Sequence, residues 1–249
     1  MCTGCGRPTV PAVVAGTLGD VSALAAAAGA ALVGGAGLLG PRAVAALPRP
    51  RDLPPGEPGP DYPRLAAARG LGPAAAGLGG LVGALLGWRL GIPGALPFWH
   101  LAAVGLVLAY VDVAVHRLPD ALVLPSLVLG PLLVAACSVG DGGSLARAVA
   151  WMGLGWAAFR LLHAVQPAGL GRGDVKLAAW TGLVTAWLSW PALVLGVVAA
   201  VGLGGVVAVA VLLGGGSRRT AVPFGPMLLA GAVAAALVGD AAVDWLAGG

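Results

Sequence analysis

The chain has 249 residues, of which 59% are hydrophobic, 10% charged and 5% aromatic, and its mean hydropathy is +0.94. Globular domains carry about 25% charged residues, so a soluble fold of this length could not cover its surface with so few. Intrinsic disorder needs the opposite balance, and three cysteines are too few for a disulfide-stapled secreted domain.

The composition leaves an all-α polytopic membrane protein, a transmembrane helical bundle with about eight spans at about 20 residues per crossing. The net charge of +4 sits on basic residues scattered through loops. With no basic cluster, no nucleic-acid partner is expected; the expected surroundings are a lipid bilayer.

The first 19 residues lack the charged region, apolar region and cleavage site of a signal peptide. They hold one CxxC pair, Cys2 and Cys5. The first long apolar stretch covers 21–40 and predicts a helix. Residues 41–70 are rich in Pro and charge and read as a loop. Seven further apolar stretches follow, at 71–90, 96–115, 120–139, 144–165, 175–190, 192–213 and 221–246. The organisation is therefore an N-terminal part, 1–70, and a larger membrane domain, 71–249.

Counting Lys and Arg in alternate loops sets the orientation. With the N-terminus outside, eleven of the fourteen basic residues fall in inner loops and three, Arg7, Arg89 and Arg147, fall outside. Both termini are thus expected outside.

Of the ten acidic residues, Asp20, Asp52, Glu57, Asp61 and Asp141 lie in loops or beside span ends, and Asp240 and Asp244 lie near the C-terminus. Solvated surface is the default for the first five. Three acids remain. Asp112 stands in LAYVDVAVHRLPD, near the end of the third predicted helix. An ionisable group inside an apolar run is by default a functional-site hypothesis; the plain alternative is an interfacial carboxylate paired with Arg117, and both readings stay open. Asp174 stands in GLGRGDVKLAAW, at the start of the sixth. There an Asp caps orphan N–H groups and suits the helix dipole. Gly169, Gly171 and Gly173 either make a flexible loop or let a backbone come close to the carboxylate. Asp120, in RLPDALVLP, reads first as an N-cap and second as a residue supporting a site.

Parity links Asp112 and Asp174. The third helix runs outside to inside and the sixth runs inside to outside, so both acids fall at the cytoplasmic face, 62 positions apart in the chain. Two close carboxylates at a semi-dry interface cannot both ionise easily and can share a proton. One then acts as general base on a water and the other as acid toward a scissile carbonyl.

Three blocks resemble the type IV prepilin peptidases, also called type IV leader peptidases, a family of membrane aspartic proteases. They are the run from Asp112 through His116, Pro119 and Asp120 to Pro125, the segment Gly171-Arg-Gly-Asp-Val-Lys-Leu177, and Val222-Pro-Phe-Gly-Pro226. They look like the family's Asp with its LPD-x-LTLP stretch, its GxGD-x-KL motif and its (I/V)PFGP motif. The resemblance implies that Asp112 and Asp174 are the catalytic pair at the cytoplasmic membrane, with Gly171, Gly173, Lys176 and Asp120 in support. It implies prepilins or pseudopilins as substrates, cut between a short basic leader and an apolar helix. Larger members of the family carry two CxxC pairs that look like a zinc site, and they methylate the new N-terminus. Here Cys2 and Cys5 make one pair, and 41–70 holds no Cys or His. A single pair cannot close a four-ligand site, so peptidase activity alone is expected.

No His–Cys–Asp cluster or phosphate-binding loop suggests a metal or another cofactor. Cys137 reads as a small core residue, His163 as packed near a helix end, His100 as interfacial, and His116 as a neighbour able to tune Asp112. Two other functions fit a helical membrane protein: a small proton-coupled secondary transporter, whose acids would lie deeper in the bilayer, and an inactive relative acting as an assembly scaffold.

Overall fold

The computed structural model describes residues 12–50, 53, 58–165, 170–215 and 223–246, without the side chains of 12–19 and 239–246. Cys2, Cys5, Asp52, Glu57, Gly169 and Val222 lie outside the described residues, as do the side chains of Asp240 and Asp244. Among the described residues every regular element is a helix: α1 (Ala12–Ala45), α2 (Tyr62–Ala66), α3 (Leu71–Val115), α4 (Asp120–Cys137), α5 (Gly142–Val165), α6 (Arg172–Leu188), α7 (Trp190–Leu213) and α8 (Gly225–Leu246). Five of them, α1, α3, α4, α5 and α7, are long and apolar enough to cross a membrane. The protein is an all-α, multi-pass helical membrane protein.

The apolar stretches and the helices correspond, with two differences. α1 outruns the 21–40 stretch and takes in Asp20 and Pro41, which shortens the following loop, and that loop also contains α2. The stretches 71–90 and 96–115 are joined in α3, which is a hairpin of two arms. Gly91 breaks it with φ +69° and ψ 175°, a left-handed conformation open mainly to glycine. Pro93 falls in the first turn of the second arm, where its missing N–H costs nothing. The arms lie against each other, since the indole Nε1 of Trp99 donates to the carbonyl of Gly83 at 2.9 Å.

α1 packs on the first arm almost backbone to backbone. A Cβ on Gly29 would stand 2.0 Å from the carbonyl oxygen of Gly83, and one on Gly87 would stand 2.2 Å from that of Ala25. Close approach through small residues is how helices associate where lipid offers no hydrophobic driving force.

α6 is the hub, touching α3, α4, α5, α7 and α8. Its face carries Leu177, Trp180, Leu183 and Val184, all fully buried. The hydroxyls of Thr181 and Thr185 bond back to the carbonyls of Leu177 and Thr181, so they are satisfied within the apolar interior. The C-terminal end of α6 is tied to α5: Nε of Arg147 donates to the carbonyl of Ala186, and Nη2 donates to that of Trp187 at 2.9 Å.

At the opposite end of the bundle, α2 lies over the last turns of α3. Tyr62, Val44, Val107 and Val111 form a small core there, and the Tyr110 hydroxyl donates to the carbonyl of Leu65 at 2.8 Å. The ring of His100 lies 5.1 Å from that of Trp180, and its Nε2 is buried. Cys137 is half-buried against the core, with a free thiol.

Candidate active site

The second arm of α3 ends one turn after Asp112. His116 takes φ +51° and its N–H donates to the Asp112 carbonyl at 2.8 Å, which closes the helix. The chain then turns through Leu118 to Pro119, which precedes α4. That sharp reversal leaves Asp112 on the last turn, only 5% exposed. Its Oδ2 accepts the backbone N–H of Gly225, the first residue of α8, at 3.0 Å.

Asp174 occupies the third position of α6 and is 7% exposed. Its Oδ2 accepts the backbone N–H of Gly171 at 2.9 Å. Its Oδ1 is buried and has no protein partner. The capping role expected for Asp174 is thus present, and one oxygen is left over.

The two acids face one another electrostatically, and one residue spans the gap between their supports. A Cβ on Gly173 would stand 2.5 Å from the Cβ of Leu118, and one on Gly225 would stand 3.4 Å from the Cδ2 of the same leucine. Leu118 thus wedges between the α6 start and the α8 start. That Gly225 Cβ would also stand 2.7 Å from Oδ2 of Asp112, and a Cβ on Gly171 would stand 3.1 Å from Oδ2 of Asp174. Each carboxylate is seated on a glycine amide because the glycine leaves it room. Both supports are helix N-terminal amides, which favour negative charge. Burial and mutual repulsion oppose two full charges at once. A single negative charge with one shared proton satisfies both constraints.

The supporting residues divide. Gly171 lies against Asp174 and donates to it, while Gly173 lies against Leu118. Asp120 does not cap α4: Pro119 is the N-cap, and Asp120 is the first helical residue. Its Oδ1 instead accepts a hydrogen bond from Nζ of Lys176. That ion pair fastens the α4 start to the α6 start, two residues beyond Asp174. His116 stands close enough to act on the Asp112 charge, and His163 Nδ1 contacts the carbonyl of Leu170 at 2.6 Å, beside the α6 start. Sequence reasoning missed the role of Gly225, although the PFGP block contained it. Among the described residues no three of His, Cys, Asp and Glu gather at metal-binding spacing.

Residues 99–213 match the type IV leader peptidase family. The matched segment contains both acids and the first two sequence blocks, and the third block lies just beyond it. The resemblance drawn from those blocks therefore stands. Among curated relatives, the prepilin leader peptidase/N-methyltransferase of Aeromonas hydrophila is 34% identical over 158 residues, 61% of this chain and 52% of the relative. The Pseudomonas putida protein of the same name is 34% identical over 172 residues, 64% of this chain and 56% of the relative. That of Legionella pneumophila is 32% identical over 167 residues, 65% and 56% of the two chains. The chain spans about half the length of these relatives. No solved structure matches it.

Proposed function

We propose that this chain is a membrane aspartic endopeptidase that removes the short basic leader of prepilin-like or pseudopilin-like proteins at the cytoplasmic face of the cell membrane. The observation that carries this reading is the convergence of Asp112 and Asp174, two buried carboxyl groups from separate helices, at one end of the bundle. The distribution of Lys and Arg supports the cytoplasmic side. The names of the relatives, prepilin leader peptidases, support the substrate class.

The chemistry follows from one proton shared between two carboxyl groups. The ionised member takes a proton from water as the oxygen attacks the scissile carbonyl carbon, and the protonated member donates to the carbonyl oxygen. Collapse of the tetrahedral intermediate sends a proton to the leaving amine. Oδ1 of Asp174 has no competing partner, which suits it to face water or substrate. A substrate whose apolar helix lies in the bilayer would present its leader junction at this depth, beside the two acids.

The test is cleavage of a prepilin-type substrate by the chain in membranes, with the new N-terminus read by mass spectrometry. Cleavage at the leader–helix junction is expected from the wild-type chain. It should be lost in Asp112→Asn and in Asp174→Asn, with both variants still inserted and folded. Retained cleavage in either variant removes the pair from the mechanism. The same spectra read methylation; an unmethylated product is expected.

A further inference from the structure

A groove of about 190 Å3 opens between α5 and α7, with α6 as its floor. The floor consists of Ala178, Thr181, Gly182 and Thr185. These positions follow Asp174 at intervals of four, seven, eight and eleven residues, which is one continuous face of a helix. The groove therefore begins one turn, about 6 Å, along α6 from the acid and extends from it on the same face. The threonine hydroxyls bond the helix's own carbonyls, so the floor offers no unsatisfied polar group.

The end of the groove is also tied to Asp112. Phe224 lines it, lies 6.2 Å ring to ring from Phe159 of α5, and fills the space over Gly204 of α7, where a Cβ would stand 2.7 Å from its ring. The next residue, Gly225, holds Asp112. One end of the groove thus lies next to the seats of both acids, one turn from Asp174 along α6 and one residue from the Gly225 that holds Asp112.

We infer that this groove seats the first turns of the substrate's apolar helix, so that the residues just beyond the scissile bond pack over α6 and Phe224 while the leader lies at the acids. This inference rests on the proposed peptidase reading. A helix laid along the α6 stripe delivers its end to Asp174, whereas a lipid chain in the same space gains nothing from that register. Helix recognition in lipid works through close packing on small residues, and Gly182, Gly196 and Ala200 supply them.

The walls allow a test that leaves the acids untouched. Val197 and Leu154 line opposite sides and are 52% and 53% exposed, so larger groups there enter the groove without disturbing the core. In proteoliposomes, Val197→Trp is expected to raise KM about tenfold for a synthetic peptide carrying leader and apolar helix, with kcat little changed. A short peptide spanning only the junction should be cleaved as by the wild type. Unchanged KM for the long peptide overturns the inference, and so does equal loss on both peptides, because the substitution then acts on the acids. A photoreactive residue at Leu154 in the Asp174→Asn chain gives a readout that needs no turnover. Capture of the long peptide through its apolar segment is expected, and capture of lipid alone overturns the inference. If the wild type cleaves neither peptide, the peptidase reading fails, and the photocapture still decides whether the groove binds a helix.

Discussion

The backbone N–H of Gly225 donates to Oδ2 of Asp112 at 3.0 Å, across 113 residues of chain. One acid of the pair is therefore held by the start of α8, while the other is held within its own helix by Gly171. Three helices meet at the site, and only two of them supply acids. The position of Asp112 depends on how α8 docks, and α8 is fixed against α3 by contacts such as Leu229 over Gly105.

Gly225→Ala keeps the amide donor but adds a Cβ 2.7 Å from Oδ2 of Asp112. The carboxyl group must shift by about an ångström, a displacement that can lower turnover about a hundredfold. The expected outcome is a fall in kcat on a prepilin-type peptide, with membrane insertion and melting behaviour close to wild type. Full activity would mean that the seat of Asp112 is immaterial to cleavage.

Lys176 and Asp120 join the starts of α6 and α4 as an ion pair whose side chains are 27% and 59% exposed. Such exposure limits the energy, and exposed pairs couple by about 0.2–1 kcal/mol. In denaturation of the detergent-solubilised protein, Asp120→Asn and Lys176→Met are expected to be non-additive by that amount. The reversed pair, Asp120→Lys with Lys176→Asp, should recover part of the loss. Strict additivity would show that the contact contributes nothing.

Most of the helical frame was legible because hydropathy is a local property. The two arms of α3 were separate apolar stretches, 71–90 and 96–115, and the structure puts the break between them at Gly91. Parity then carried Asp112 and Asp174 to the same end of the bundle. Partners were less legible. Asp120 follows a proline and looks like a cap, but its position is set by Lys176, 56 residues away, and no local pattern announces that pairing. Gly225 sits in a recognisable block, yet nothing in that block says which carboxylate its amide will meet. The contact of His100 with Trp180, 80 residues away, was equally invisible in the local pattern.

Arg147 spans from α5 to the last carbonyls of α6, at Ala186 and Trp187. Those carbonyls lie at a helix C-terminus, where a cation is favoured, and bonds from a charged donor contribute about 1.5–3 kcal/mol each. Arg147→Ala is expected to lower unfolding stability by about 2–4 kcal/mol, less than the sum of two bonds because water can reach the freed carbonyls. Arg147→Lys should recover only part, because a single ammonium cannot reproduce the fork. The acids lie at the far end of α6, so kcat in folded Arg147→Ala protein should stay within about threefold of wild type, equivalent to less than 1 kcal/mol in the barrier. A large loss of turnover without loss of stability would contradict this division between the two ends of the helix.

The pair also sets the form of the pH profile. At low pH both carboxyl groups are protonated and neither can take a proton from water. At high pH both are ionised and neither can donate to the carbonyl oxygen. In the proposed mechanism turnover requires the singly protonated pair, so the rate should rise and then fall with increasing pH, with the two limbs belonging to the pair rather than to either residue. The measurement is kcat/KM on a peptide without titratable groups near the cleavage site, in proteoliposomes buffered equally on both sides. A flat rate from about pH 4 to 9 would exclude a shared proton, because isolated carboxyl groups titrate near the lower bound.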